Sequence, residues 1–276
     1  MPDVDPRRPA DRYTHGHHDS VLRSHRWRTA ENSCAYLLHH LRTGMAVLDV
    51  GCGPGSISAD LAARVRPGRV VAVDNAAGVL AEADAVARRA SAGGSHLTVE
   101  MADVHRLPYA DASFDVVHAH QVLQHLADPV AALREMRRVC RPGGIVAARD
   151  SDYPGMTWFP EDVGMDRWLA LYLQVARAND AEPAAGRRLL AWAHAAGFCD
   201  VAASASTWCF ATPEERSWWG GLWAERVTES AFADQALAGG YADAGELEQI
   251  AGAWRRWAAS ADGWYVVVHG EILGRC

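Results

Sequence analysis

Short apolar runs alternate with amphipathic stretches along the first 150 residues of the chain. Apolar residues at helical spacing predict a helix from Thr29 to Leu41, which Gly44 ends. Beyond it, buried-strand patterns alternate with helical patterns, and this rhythm is typical of an α/β fold with a parallel, doubly wound sheet. The predicted strands are Met45 to Val50, Arg69 to Asp74, Leu97 to Ala102, Phe114 to Ala119 and Ile145 to Arg149. Predicted helices lie between them: one with an apolar face at Ile57, Leu61 and Val65, one over Val79 to Ala90, and one with Asp128 as N-cap and Pro129 at its first position.

The second half of the chain differs in composition, because ten of the eleven tryptophans follow residue 150. Its patterns predict helices over 162–178, 185–196, 213–236 and 243–259, and strands over 200–210 and 264–273. Trp254 and Trp257, at helical spacing, are expected in a core. We therefore expect three segments: an N-terminal arm with cap helices (1–43), an α/β core (44–150), and cap helices with the last two strands of the sheet (151–276).

Composition and charge narrow the class of protein. With 276 residues and 49% hydrophobic residues, the chain can form one large domain. Its net charge of −7 disfavours binding to a nucleic acid backbone. No apolar run reaches the roughly 18 residues that cross a bilayer, and Met1 to Arg12 lack a signal-peptide pattern, so we expect a cytoplasmic protein with no membrane partner. We expect it to be a monomer or a homodimer.

A metal site is not expected. The six cysteines are scattered without a C-x-x-C pair. His15, His17 and His18 lie close together, but residues 1–19 read as a flexible arm, which would not orient metal ligands.

A strand runs into a glycine-rich turn at Gly51, Gly53 and Gly55, where backbone can approach a ligand that any Cβ would exclude. The next strand ends in Asp74, close to the spacing at which an acid reaches ribose hydroxyls. This pattern predicts an adenosine cofactor. A dinucleotide would need glycine at Ser56 and would bring its diphosphate near Asp49, whereas S-adenosylmethionine brings an ammonium group there. Asp49 thus favours S-adenosylmethionine, and a nicotinamide-dependent dehydrogenase stays as the alternative.

Several motifs occur in a known order: Asp49 to Gly55, Asp74, Ala102-Asp103-Val104, Leu107-Pro108-Tyr109, Ser113-Phe114-Asp115, His120 to His125, and Arg141 to Gly144. In these the chain resembles the class I S-adenosylmethionine-dependent methyltransferases, and is similar to the ubiquinone/menaquinone-biosynthesis C-methyltransferases. The resemblance implies a Rossmann-like, mostly parallel seven-stranded sheet with an N-terminal helical cap and C-terminal helical insertions. It also implies S-adenosylmethionine as cofactor, S-adenosylhomocysteine as product, and cofactor contacts by Arg28, Asp49, Gly51, Gly53, Gly55, Asp74, Asn75, Asp103, Val104, His120 and Gln121.

The acceptor side is less constrained. Tyr153 follows the fifth strand, and Trp158, Trp219 and Trp223 fall where this fold places its substrate cap, so we expect them to bind a small, flat aromatic acceptor. Tyr13, His17 and Asp152 are the candidates for a catalytic base. We favour C-methylation of an indole-type natural product as a hypothesis; O- or N-methylation of a phenol or quinol, or a non-catalytic cofactor-binding module, are the alternatives.

Overall fold

The computed structural model describes residues 13–16 and 18–276, and a central β-sheet organises them. Five parallel strands form its first part in the order β3-β2-β1-β4-β5. All five strands predicted from the apolar runs are confirmed. Their bounds are β1 Ala46–Val50, β2 Arg69–Asp74, β3 His96–Met101, β4 Phe114–His120 and β5 Cys140–Ser151.

Antiparallel pairing completes the sheet. β8 (Trp264–Arg275) runs antiparallel to β5, and β7 (Val201–Phe210) runs antiparallel to β8. A short strand, β6 (Thr157–Phe159), pairs with the first residues of β8. The sheet of the described residues therefore has eight strands, one more than the seven expected. The additional strand is β6, whose three residues before Pro160 are too few to predict a strand from the sequence.

Helices cover both faces of the sheet and form a cap over one end. Flanking helices follow the strands at α4 (Ser56–Val65), α5 (Ala77–Ala92), α6 (Pro129–Val139) and α8 (Ala185–Ala195). The cap is built from α7 (Val163–Ala178), α9 (Pro213–Glu229), α10 (Ala231–Ala238) and α11 (Ala244–Ala259). Single 3₁₀ turns lie at Leu123–His125 and Tyr153–Gly155.

The N-terminal segment differs from its prediction. Thr14 and His15 are buried although they fall in the predicted flexible arm, and a helix that was not predicted, α1 (Asp19–Arg26), begins at the last residue of that arm. The single helix expected from Thr29 to Leu41 is wrong: it is two one-turn helices, α2 (Ala30–Ser33) and α3 (Ala35–Leu38). The break lies at Cys34, whose φ of −140° and ψ of 31° are not helical.

Two boundaries in the rest of the chain also differ. The helix expected over 213–236 is divided by Ser230, which is extended and caps α10 through its hydroxyl. The turn expected at Arg141 to Gly144 lies within β5, which is irregular there and has Gly143 at a φ of 78°.

Buried residues form two clusters against the sheet and a third within the cap. The cap cluster is rich in aromatic side chains, including Trp168 and Trp223. Trp254 and Trp257 are 0% and 2% exposed, so the prediction that they belong to a core is confirmed. No helix of the described part of the chain is both long and apolar enough to cross a membrane.

Candidate active site

The glycine turn follows β1 and has the backbone geometry that its sequence requires. Gly51, Gly53 and Gly55 have φ values of 66°, 54° and 84°, in the left-handed region that favours glycine. A Cβ on Gly51 would meet Val122 at 2.3 Å, whereas a Cβ on Gly53 would have only His25 within 4 Å, at 3.8 Å. Gly53 therefore faces open space into which a ligand can come close to the backbone.

This space is a cleft of about 1130 Å³, including its opening to solvent, at the carboxyl ends of β1, β2 and β4. We call it the glycine-turn cleft. Ligands of open α/β sheets bind at this edge. Of the residues predicted to contact the cofactor, those lining the cleft are Arg28, Asp49, Gly51, Gly53, Asp74, Asn75, Val104, His120 and Gln121.

Two residues predicted to bind the cofactor lie elsewhere. Gly55 is the N-cap of α4, and the nearest atoms to a Cβ built there are those of Ala83 at 3.4 Å. The side chain of Asp103 is 60% exposed and accepts hydrogen bonds from the backbone and ring of His105. Its neighbours Ala102 and Val104 do line the cleft.

Both acidic side chains of the cleft are held by neighbouring groups. Asp49 is 3% exposed; its Oδ1 lies 2.7 Å from Nδ1 of His118, and its Oδ2 accepts a hydrogen bond from Ser58. Asp74 accepts backbone hydrogen bonds from Gly53 on Oδ2 and from residue 76 on Oδ1, each at 2.9 Å. These bonds fix two carboxylates on the wall of the cleft.

His120 adds unpaired polar atoms to the same wall. The residue is 5% exposed, and neither ring nitrogen has a hydrogen-bond partner among the residues described. Burial lowers its pKa well below 6.5, so the ring is neutral at neutral pH. A neutral imidazole can give one hydrogen bond and accept another, and here both remain for a ligand.

A second, smaller space of about 410 Å³, including its opening to solvent, adjoins the cleft. We call it the aromatic chamber, because rings of Tyr13, Tyr153, Trp208, Trp219 and Trp223 line it, with His15 and His25. Four residues line both spaces and therefore separate them: Tyr13, His25, Arg28 and Gln121.

The boundary holds a neutral hydrogen-bonded pair. The hydroxyl of Tyr13 lies 3.2 Å from Nε2 of His25. Burial raises the pKa of Tyr13 to about 12 and lowers the pKa of His25 well below 6.5. At neutral pH a phenol therefore faces an unprotonated imidazole, which is an arrangement able to pass a proton.

Gln121 is the other fixed point of the boundary. Its φ of 54° is unusual for a residue other than glycine and indicates a backbone held by its surroundings. The side-chain oxygen accepts a hydrogen bond from Nη2 of Arg28 at 2.7 Å, and the amide nitrogen lies 2.8 Å from both Ser151 Oγ and His269 Nε2. Gln121 thus orients Arg28 towards both spaces.

The residues predicted for the acceptor side are only partly brought together. Tyr153, Trp219 and Trp223 line the aromatic chamber, whereas Trp158 stacks on Tyr265 with ring centres 6.0 Å apart and lines neither space. Among the predicted catalytic residues, Tyr13 lies at the boundary, and His17 lies outside the described residues.

Asp152 is also placed away from both spaces. Its two oxygens accept hydrogen bonds from the guanidinium of Arg187 at 2.6 Å each, and Oδ1 accepts a further one from the backbone of Gly155. These contacts cap the turn that carries Tyr153. These contacts indicate that Asp152 has a structural role.

Sequence reasoning missed His25, Trp208 and Arg226, which also line the aromatic chamber. A signal was present for Arg226, since Trp219, Trp223 and Arg226 are spaced by four and three residues and share one helix face. For His25 the signal is weaker, because the helix that carries it is only eight residues long. No group of three or more potential metal ligands occurs among the residues that the structure describes.

The similarity of this chain to known proteins covers far more of it than the glycine turn. Residues 48–148 match the methyltransferase domain family. The chain is 33% identical over 275 residues to an uncharacterized methyltransferase of Schizosaccharomyces pombe, covering 96% of this chain and 98% of that one. Over 105 residues it is 40% identical to the ubiquinone/menaquinone biosynthesis C-methyltransferase UbiE of Bdellovibrio bacteriovorus, covering 38% of this chain and 43% of that one. The fold is similar to that of the YcgJ protein from Bacillus subtilis, with a TM-score of 0.56 at 16% identity, covering 94% of this chain and 100% of that one.

Proposed function

Because this chain belongs to the class I S-adenosylmethionine-dependent methyltransferases, as its motifs predict, we propose that it methylates a small, planar aromatic or heteroaromatic metabolite. One observation carries the proposal: a chamber lined by five aromatic rings adjoins the glycine-turn cleft across four shared residues. Flat apolar rings gain binding energy by stacking on such walls. An acceptor there would lie next to the methyl donor.

The glycine-turn cleft fits the methyl donor of the family. Asp74 is placed to accept hydrogen bonds from ribose hydroxyls, and the carboxylate of Asp49 gives a negative wall that suits an ammonium group. Open space at Gly53 admits the ligand to the backbone, and His120 has both nitrogens available for it. When bound, S-adenosylmethionine supplies a methyl group attached to a positively charged sulfur, and S-adenosylhomocysteine is left after transfer.

The glycine turn alone leaves a dehydrogenase as an alternative. The similarity to a methyltransferase over nearly the whole chain excludes it. Within the methyltransferases, the enzyme mainly has to align the acceptor and exclude water. We expect the aromatic chamber to do both, because five aromatic rings line it and the boundary residues restrict the approach of the acceptor.

The Tyr13–His25 pair supplies the proton acceptor that our hypothesis of indole C-methylation requires. When a ring carbon attacks the methyl group, a C–C bond forms, the bond from the methyl group to sulfur breaks with its electron pair left on sulfur, and the ring becomes cationic. The ring regains aromaticity by losing the proton from that same carbon. Tyr13 takes up this proton as it gives its own to Nε2 of His25, and the electron pair of the broken C–H bond returns to the ring.

Incubation with S-adenosylmethionine labelled in its methyl group tests this proposal, using indoles, phenols and quinols as acceptors. We expect label on a ring carbon, located by NMR of the product. Label only on oxygen or nitrogen would replace the carbon proposal with O- or N-methylation. Label on no acceptor of the panel, with intact binding of S-adenosylhomocysteine, would contradict the aromatic acceptor and favour a non-catalytic binding module.

A further inference from the structure

Arg226, on α9, is a buried cation at the aromatic chamber. It is 4% exposed, and it lines the chamber but not the glycine-turn cleft. Its Nη2 donates hydrogen bonds to the carbonyl of Ser20 at 3.0 Å and to Oγ of Ser24 at 3.1 Å. Its Nε is buried and has no hydrogen-bond partner among the described residues. The guanidinium is thus fixed from one side and incompletely satisfied on another.

The charge of Arg226 is not matched by a carboxylate. No described acidic group lies within ion-pair distance of it, and the phenols that face it belong to Tyr13, Tyr153 and Tyr172. Burial raises the pKa of each phenol, so all three are neutral at neutral pH. The face of Trp223, 4.5 Å from the guanidinium, offers only a partial compensation. Buried cations normally have an anionic partner.

Arg28 is a second cation at the same place, and it also has no ion-pair partner among the described residues. It lines both spaces, and the family resemblance assigns it to the cofactor. The methyl donor carries one carboxylate, which Arg28 can match. Arg226, which lines the chamber alone, then remains for an anion that the acceptor brings.

We propose that Arg226 binds a carboxylate of the methyl acceptor, so that the substrate is an aromatic acid. This inference rests on the proposed function and names the class of acceptor. Trp219 and Trp223 line the aromatic chamber from the same face of α9 as Arg226, so a ring that packs against their exposed edges would have its carboxylate at the guanidinium. A neutral analogue would leave this buried guanidinium unpaired, which is the condition under which a site rejects a substrate most strongly.

Binding of matched acid and amide probes to the full chain tests the inference. The probes are indole-3-carboxylate with indole-3-carboxamide, and 4-hydroxybenzoate with 4-hydroxybenzamide, titrated calorimetrically at neutral pH in saturating S-adenosylhomocysteine. We expect the wild type to bind at least one acid more than about tenfold more tightly than its amide, as a charge-assisted hydrogen bond implies. In Arg226→Gln this preference disappears, whereas in Arg226→Lys part of it remains. The control is Arg255→Gln, an exposed arginine of α11 paired with Glu248, which keeps the full preference.

The outcomes separate this inference from the proposed function. Amides that bind the wild type as tightly as the acids would overturn the role of Arg226 and leave the aromatic acceptor standing. An acid preference that persists in Arg226→Gln would do the same. If no probe binds while S-adenosylhomocysteine does, both the aromatic acceptor and the carboxylate are contradicted. The wild-type comparison needs no substitution, so it decides the matter even if Arg226→Gln fails to fold.

Discussion

The hydroxyl of Tyr13 lies 3.2 Å from Nε2 of His25, at the boundary between the glycine-turn cleft and the aromatic chamber. The two residues are 12 positions apart, since Tyr13 precedes α1 and His25 lies in its last turn. Their pairing places a proton-transfer group where an acceptor would meet the methyl donor. This position makes Tyr13 the group most directly testable by mutation.

Tyr13→Phe removes the hydroxyl and keeps the ring. We expect kcat to fall by about 10²-fold, the lower end of what a proton-transfer group contributes, with affinity for S-adenosylhomocysteine unchanged. Steady-state kinetics and calorimetry measure the two quantities. Tyr109→Phe is the control, since its hydroxyl bonds to Glu100 at an exposed site. A kcat equal to that of the wild type would remove Tyr13 from the mechanism.

Asp74 and Asp103 form a matched pair of acids, both predicted from sequence to bind the cofactor. Asp74 lines the cleft and Asp103 does not. We expect Asp74→Asn to weaken binding of S-adenosylhomocysteine by roughly tenfold to a hundredfold, as the loss of charge-assisted hydrogen bonds implies. Asp103→Asn should bind normally. Calorimetric titration measures both, and equal losses in the two variants would show that Asp103 also reaches the cofactor.

Asp152 was predicted as a candidate base, but its bonds to Arg187 and Gly155 indicate a structural part. We expect Asp152→Ala to lower the free energy of unfolding by about 1 kcal/mol, because the turn that carries Tyr153 loses its capping side chain. The kcat of the folded fraction should stay near that of the wild type. Denaturant unfolding and active-site titration provide the measurements. A large fall in kcat at unchanged stability would restore a catalytic part for Asp152.

Buried histidines predict that the protein loses stability in mild acid. Burial lowers the pKa of His15, His25, His120 and His269 well below 6.5, and that of His125 to about 3. Below pH 6.5 the unfolded chain binds protons that the folded chain does not, so stability is full above that pH and falls as the pH decreases. Each such histidine contributes a slope of up to about 1.4 kcal/mol per pH unit.

Urea unfolding measured at several pH values checks this slope. His125→Asn should reduce the slope of the unfolding free energy against pH by up to about 1.4 kcal/mol per pH unit, which is the contribution of one histidine. An unfolding free energy that stays constant from pH 6.5 down to about pH 5, above the range in which most carboxylates titrate, would show that these rings are not held neutral.

The local part of the structure could be predicted from the sequence, and the long-range part could not. Most of the parallel strands contain a run of apolar residues, and the turn at Gly51 to Gly55 has few possible conformations, so neighbouring residues determine both. Arg226 reaches the aromatic chamber only because α9 packs on α1, about 200 residues away along the chain. Spacing along α9 shows that Trp219, Trp223 and Arg226 share a face, but not what that face meets.

Irregular backbone explains the other differences. The pattern from Thr29 to Leu41 fits one helix, yet Thr29 and Asn32 form a capping box that starts a separate turn before Cys34 leaves the helical region. Gln121 takes a left-handed conformation because its backbone and side chain bond to Arg149, Arg28 and Ser151 at once. Such conformations depend on tertiary contacts, which periodicity does not contain.

We propose that the glycine-turn cleft holds the methyl donor and the aromatic chamber holds the acceptor. The most direct test is a crystal structure with S-adenosylhomocysteine and an accepted aromatic substrate both bound. We expect the product nucleoside at Asp74 and the glycine turn, with the acceptor ring between Trp219, Trp223 and Tyr153. The atom that receives the methyl group should point past the boundary residues Tyr13 and Gln121 towards the sulfur. An acceptor bound outside the aromatic chamber, with its reactive atom approaching the sulfur from another direction, would contradict the proposed arrangement.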